Sequence, residues 1–87
     1  MKLDFPEGAK IGSILLVTWP PSDAGTIDGT YEGRLLGVKG HRLTLHFTYE
    51  NFDDPPEETL VVNLETGMDE KYHAPVSAVE LKQPFAT

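Results

Sequence analysis

Residues 41–51 read HRLTLHFTYEN, and apolar and polar side chains alternate along this stretch. A period of two is typical of a β-strand with one face buried and the other in water. The apolar face carries Leu43, Leu45, Phe47 and Tyr49. Acidic residues follow immediately, so the strand brings aromatic rings close to carboxylates. The stretch therefore predicts a half-buried strand that leads into a loop able to attract cations.

Similar short runs, rich in β-branched and aromatic residues, recur along the chain and are separated by turn signals such as Asp28-Gly29 and Lys39-Gly40. We predict strands at residues 13–19, 30–38, 42–50, 59–65, 71–74 and 80–83. No longer window shows a helical period, and residues 75–79 suit a single 3₁₀ turn. The sequence therefore predicts an all-β fold, a small barrel of five or six short antiparallel strands with a one-turn 3₁₀ helix near the C-terminus.

Length and composition limit the possible classes of protein. A chain of 87 residues is expected to form a single domain, with the barrel core at about residues 12–82 and a short tail at each end. The absence of cysteine excludes disulfides and thiolate metal sites, and it favours an intracellular protein, cytoplasmic or nuclear. The N-terminus has no signal-peptide pattern and no apolar run is long enough to span a membrane, so we expect no membrane contact.

The charge of the chain indicates what kind of partner it binds. Fourteen acidic and seven basic residues give a formal net charge of −7, which opposes binding to nucleic acid phosphates. Five acids fall within residues 50–58, which contain no base: Glu50, Asp53, Asp54, Glu57 and Glu58. This segment is either a solvated loop, an attractor of a cationic partner, or a surface that imitates nucleic acid. The expected partner is a protein or peptide of basic character.

Motifs for catalysis and metal binding are not found. No serine lies in a nucleophile motif, and no glycine-rich phosphate loop precedes a helix. The spacing of His41, His46 and His73 matches no zinc pattern, and the acidic segment lacks the pattern of a calcium loop. We therefore expect no catalytic residues, no metal and no cofactor, and we predict that the protein is not an enzyme.

Aromatic residues occur at particular ends of the predicted strands. Trp19 ends the first strand, Tyr31 opens the second, and Phe47 lies near the end of the third, before an acidic loop. Residues 76–81, VSAVEL, match a closing 3₁₀ turn and a last strand. Over residues 12–82 this order of features resembles the SH3-like barrels, and especially the Tudor-type modules among them. The chain departs from those modules in having Glu50 where a fourth aromatic is usual, an additional strand at 59–65, and a long first loop.

The resemblance implies a binding site. In Tudor-type domains that recognise methylated lysine or arginine, aromatic rings surround the cation and an acid or asparagine adds a polar contact. The resemblance therefore implies an aromatic cage whose candidates are Trp19, Tyr31, Phe47, Tyr49 and Phe52, with either Tyr49 or Phe52 as the fourth ring. Its polar rim would consist of Glu50, Asn51, Asp53 and Asp54. The strand alternation supports a competing interpretation, in which Trp19 and Phe47 belong to the core.

Two functions follow from these observations. The first is a non-enzymatic, Tudor-like interaction module that recognises a cationic peptide, including methylated lysine or arginine, or a basic protein surface. The second is a small acidic phage or mobile-element protein that inhibits a nucleic-acid-binding partner by occupying its basic surface. A homodimer paired through an exposed strand, such as residues 59–65, is compatible with either. Exposure of the aromatic rings separates the cage from the core interpretation.

Overall fold

Antiparallel strands form the whole regular structure of the part of the chain that the computed structural model describes, residues 2–21, 29–48 and 57–83. The strands are β1 (Ile14–Trp19), β2 (Gly29–Lys39), β3 (Arg42–Thr48), β4 (Glu57–Asn63), β5 (Met68–Asp69) and β6 (Ala78–Gln83). They form one sheet in the order β5-β4-β3-β2-β1-β6, which curls into a half-barrel. The predicted all-β class is confirmed.

The alternation predicted for residues 41–51 sets the two faces of β3. Leu43, Leu45 and Phe47 are fully buried, whereas the residues between them are partly or fully exposed. The same alternation buries Leu15 and Val17 of β1 and Leu60 and Val62 of β4. These side chains pack together on the inner face of the curled sheet. The hydrophobic core therefore lies on the concave side, and the polar side chains lie on the outer face.

The tight hairpin predicted at Lys39-Gly40 is present between β2 and β3. Lys39 lies opposite Arg42, which leaves a loop of two residues. Gly40 is the first of them and has a positive φ of 61°, as a type II′ hairpin turn requires at that position. Pairing continues down both strands, with a bulge between Leu35 and Gly37. The turn chemistry therefore fixes the register that the hydrophobic pattern requires.

Residues 71–74 do not form the predicted strand. They belong to a turn after the two-residue strand β5. The carboxylate of Asp69 accepts hydrogen bonds from the backbone N–H groups of Lys71, Tyr72 and Ala74, at 3.1, 2.6 and 3.1 Å. His73 lies in the left-handed region at φ 55°. The aspartate therefore curls this segment despite the β propensity of its residues.

The one-turn helix expected at residues 75–79 is not formed either. The N–H of Val76 donates to the carbonyl of Gly67 at 2.7 Å, and the N–H of Ser77 donates to the carbonyl of Thr18 at 2.8 Å. Both donors are thus used by residues distant in sequence and are not available for the local bonds of a 3₁₀ turn. An isolated bridge between Pro75 and Met68 leads the chain into β6 instead.

Candidate functional site

The three described aromatic residues of the implied cage lie together. Trp19 contacts Tyr31 with ring centroids 5.9 Å apart and Phe47 with centroids 5.7 Å apart, both in edge-to-face geometry. The sheet register produces this arrangement. Tyr31 lies opposite Val17, which is two residues before Trp19 on the same face, and Phe47 lies opposite Gly33, two residues after Tyr31. The structure therefore brings Trp19 into contact with rings that are 12 and 28 residues away in sequence.

Two of these three rings are buried. Trp19 is 1% exposed and Phe47 is 0% exposed, whereas Tyr31 is only partly buried at the edge of the core. The ring of Phe47 also covers Gly33, where an added Cβ would lie 2.8 Å from the Phe47 Cε1 atom. A cation–π contact needs an open ring face. In this conformation Trp19 and Phe47 act as core residues, and of the three only Tyr31 keeps part of its ring at the surface.

The polar edge of Trp19 is also occupied within the protein. Its indole N–H donates to the Asp69 Oδ1 atom at 3.2 Å, and Asp69 is 0% exposed. The same carboxylate holds the turn at residues 69–74, so it links β1 to the segment before β6. The sequence analysis missed this role for Asp69. The only local signal was the spacing of an Asx-type turn. Asp69 comes two and three residues before Lys71 and Tyr72, whose N–H groups donate to it.

The other predicted site residues belong to the segment between β3 and β4. Tyr49 and Phe52 of the implied cage lie outside the described residues. So do the residues of its polar rim: Glu50, Asn51, Asp53 and Asp54. The described strands on either side of them are β3, which ends at Thr48, and β4, which begins at Glu57. The segment that carries these residues therefore joins the two strands at one end of the sheet.

Carboxylates form a line across the outer face at that same end. Glu80 of β6 lies opposite Leu16 of β1, which lies opposite Glu32 of β2. The β2–β3 register places Thr48 beside Glu32, and Thr48 lies opposite Glu57 of β4. We call Glu80, Glu32 and Glu57 the acidic row; all three are exposed. Alternate strands of a sheet are about 10 Å apart, so successive carboxylates of the row are separated by about that distance.

Basic residues lie at the opposite end of the same face. Lys39 and Arg42 are exposed beside the β2–β3 turn, and we call this the basic end. Arg42 is six residues along β3 from Thr48, which corresponds to about 20 Å. The guanidinium of Arg42 donates two hydrogen bonds to the carboxylate of Glu70, one of them from Nε at 2.9 Å. This pairing lowers the pKa of Glu70 and raises the pKa of Arg42. The basic end therefore carries acids beside its basic residues, since Glu70 pairs with Arg42 and Glu65 lies within 4.0 Å of His41.

Glu58, Lys71 and Tyr72 form a separate cluster at the start of β4. The ammonium of Lys71 and the hydroxyl of Tyr72 both donate to the Glu58 Oε1 atom. The hydrogen bond to Glu58 raises the pKa of Lys71, and it also raises the pKa of Tyr72. A catalytic lysine or tyrosine requires a pKa shifted towards neutrality, which is the opposite direction. The cluster therefore acts as a structural ion pair that joins β4 to the turn after β5.

The described residues show little else that indicates a ligand. No group of three or more His, Asp or Glu side chains among them is arranged to hold a metal ion. No helix in this part of the chain is long and apolar enough to cross a membrane. An open, mostly apolar cavity of about 300 Å³ lies between residues 66–68 and 75–77, beside Pro20. Among the described residues, the acidic row is therefore the best candidate for a binding surface.

Comparison with known proteins finds no protein family, curated protein or solved structure that matches this chain.

Proposed function

We propose that this protein is a non-enzymatic interaction domain whose acidic outer face binds a basic surface of a partner protein. The observation that supports the proposal is the acidic row, which lies across the sheet at the end where the chain enters residues 50–58. In sequence, that segment has five acids and no base. Together with the net charge of −7, this distribution attracts a basic partner over a distance and pairs with it on contact.

The position of the acidic row gives this attraction a place on the sheet. The basic end lies about 20 Å from the row and carries acids beside its basic residues. A basic partner is therefore drawn to the row more strongly than to the opposite end. A partner that uses its basic surface to bind nucleic acid would be inhibited by this docking, as proposed for a phage or mobile-element product. Such inhibition would be a special case of the same interaction.

Recognition of a methylated lysine or arginine by a Tudor-like, SH3-like barrel is the second candidate. It is supported by the convergence of Trp19, Tyr31 and Phe47 in the order that the resemblance implies. The burial of Trp19 and Phe47 weighs against it. A methylated side chain would have to contact Tyr31 together with Tyr49 or Phe52. We therefore rank this candidate below binding of an unmodified basic surface.

The first prediction tests the acidic row with a fluorescent ten-residue peptide of lysine and arginine as the probe. The double substitution Glu32→Gln with Glu57→Gln is expected to weaken binding about three- to tenfold, since each exposed ion pair contributes roughly 0.2–1 kcal/mol. Fluorescence anisotropy titration at low and high salt measures the effect. Binding of the unchanged protein should also weaken as salt rises, because these charges are exposed to solvent.

A matched control is available at the other end of the sheet. Glu65→Gln with Glu70→Gln removes the same amount of charge. In each double variant, one glutamate pairs with a lysine or arginine and the other lies within 4.0 Å of a histidine. The control should change binding by less than twofold. Equal weakening in both variants would contradict a local site, and tighter binding of a methylated peptide than of the unmodified one would favour the Tudor-like candidate.

A further inference from the structure

The strand β6 forms one edge of the sheet. It pairs with β1 along one side, from Ala78 opposite Thr18 to Leu81 opposite Leu15, and after a bulge at Lys82 it ends with Gln83 opposite Ile14. No other described strand pairs with its second side. An edge strand presents unpaired N–H and C=O groups, which readily accept a further strand. The opposite end of the sheet is partly covered, because β5 pairs with Val62 and Asn63 of β4, and Glu70 donates its N–H to Val61.

The sequence of this edge is complementary to itself. Leu81 points to the inner face and packs against the core, opposite Leu15. Glu80 points to the outer face, and Lys82 also lies there because its ammonium pairs with Glu32. A carboxylate and an ammonium therefore flank one apolar residue. When such a strand pairs antiparallel with a copy of itself about Leu81, each Glu80 lies opposite the Lys82 of the other copy.

We propose that two copies of this chain associate through β6, in an antiparallel pair centred on Leu81. Neighbouring registers are disfavoured, because centring on Glu80 opposes two glutamates and centring on Lys82 opposes two lysines. The Leu81 register also keeps both cores on the same side of one continuous sheet. A two-fold axis repeats every contact, so the association stops at a dimer.

The proposed pairing gives Glu80 an ion-pair partner that it lacks among the described residues. Among the described residues Glu80 forms no ion pair, whereas Lys82 pairs with Glu32. In the dimer, Lys82 lies between Glu32 of its own chain and Glu80 of the other copy, and its three donors serve both carboxylates. The dimer does not rest on the proposed function. The two tests are separate, because the binding test changes Glu32 and Glu57, whereas the dimer contact is made by Glu80 and Lys82.

Charge reversal tests the contact. Glu80→Lys places a lysine opposite Lys82 of the other copy at each end of the pair. The repulsion should raise the dimer dissociation constant at least about tenfold. Adding Lys82→Glu restores opposite charges and should return the constant to within about threefold of its original value. Sedimentation equilibrium measures the constant, and circular dichroism checks that each variant is folded. The control Glu65→Lys makes the same change of charge at the basic end and should leave the constant unchanged.

Cysteine cross-linking tests the register, since the chain has no cysteine of its own. The two Leu81 Cα atoms would lie about 4.5–5.5 Å apart, within the range that a disulfide spans. Leu81→Cys should therefore cross-link efficiently under mild oxidation. Val79→Cys should not, because its two copies would lie about 13 Å apart along the strands. A protein that stays monomeric up to about 1 mM, or equal cross-linking of the two variants, would overturn the proposal.

Discussion

Asp69 is the residue on which the local structure of the candidate site depends most. It is buried, and it accepts one hydrogen bond from the Trp19 indole and three from backbone N–H groups of the following turn. A buried carboxylate is tolerated when such donors compensate for the loss of water. Because one side chain satisfies all four donors, Asp69 determines both the orientation of Trp19 and the path of the chain towards β6.

We expect Asp69→Ala to lower the free energy of unfolding by about 3 kcal/mol or more, because it leaves several buried donors unpaired. Urea denaturation followed by Trp19 fluorescence measures the loss. Asp4→Ala removes an exposed carboxylate and should change stability by less than about 0.5 kcal/mol. A loss below about 1 kcal/mol for Asp69→Ala would show that water or a rearranged turn satisfies these donors.

The pairing of Glu70 with Arg42 predicts a pH-dependent contribution to stability. Arg42 lowers the pKa of Glu70 below its ordinary value of 4.5, so the folded state holds this proton less tightly than the unfolded state. The contribution is therefore fully present above pH 4.5 and is lost as the pH falls through the lowered pKa. The free energy of unfolding should thus differ between the unchanged protein and Glu70→Gln above that pH.

The two proteins should converge in acid, where a protonated Glu70 resembles glutamine. Chemical denaturation at a series of pH values gives the difference directly. Repeating the series in high salt should reduce the difference, because the pair is exposed and therefore screened. A difference that persists unchanged into strong acid would mean that Glu70 stabilises the fold through packing and not through its charge.

At the scale of elements, the pairing of β2 with β3 depends on a contact between an aromatic ring and a glycine. Gly33 lies opposite Phe47, and the ring occupies the space that a side chain at position 33 would need. The short distance of 2.8 Å to an added Cβ means that the ring and the neighbouring backbone lie in close contact. The core at this end of the sheet is therefore closely packed around Phe47, which is fully buried among the described residues.

We expect Gly33→Ala to lower the free energy of unfolding by about 1–3 kcal/mol, since the methyl group displaces a fully buried ring. Gly37→Ala in the same strand is the matched control, because no atom lies within 4 Å of its added Cβ, and it should be neutral or slightly stabilising. Combining Gly33→Ala with Phe47→Leu should cost less than the sum of the two changes, as measured by a double-mutant cycle. Strict additivity would contradict the contact.

At the scale of the whole molecule, the acidic row and the basic end lie at opposite ends of one sheet. Glu80, Glu32 and Glu57 form the row, whereas Lys39 and Arg42 at the other end have acids beside them. These strands belong to one continuous sheet, so a partner that lies along the strands meets both ends. The proposed dimer would extend this face through β6 and place two acidic rows on one surface. Affinity for a basic partner with two binding surfaces would then exceed that of either row alone.

Local patterns in the sequence were sufficient to predict most of the sheet. The alternation in residues 41–51 predicts β3 and its buried face correctly, because the period of side chains along a strand is independent of the rest of the fold. Gly40 predicts the hairpin for a similar reason, since its positive φ is a property of a single residue. The same local signals are wrong for residues 71–74, where the side chain of Asp69 competes for the backbone donors.

Contacts between distant residues were decided only by the tertiary structure. Alternation places Trp19 and Phe47 on the inner face of their strands, but whether that face is open or closed depends on Asp69, 50 residues after Trp19, and on Gly33 in the neighbouring strand. The acidic row likewise joins three glutamates whose alignment follows from strand order and register. The sequence by itself thus determined which residues form strands and which way they face. The structure determined which of them meet, because pairing across a sheet depends on the packing of the whole chain.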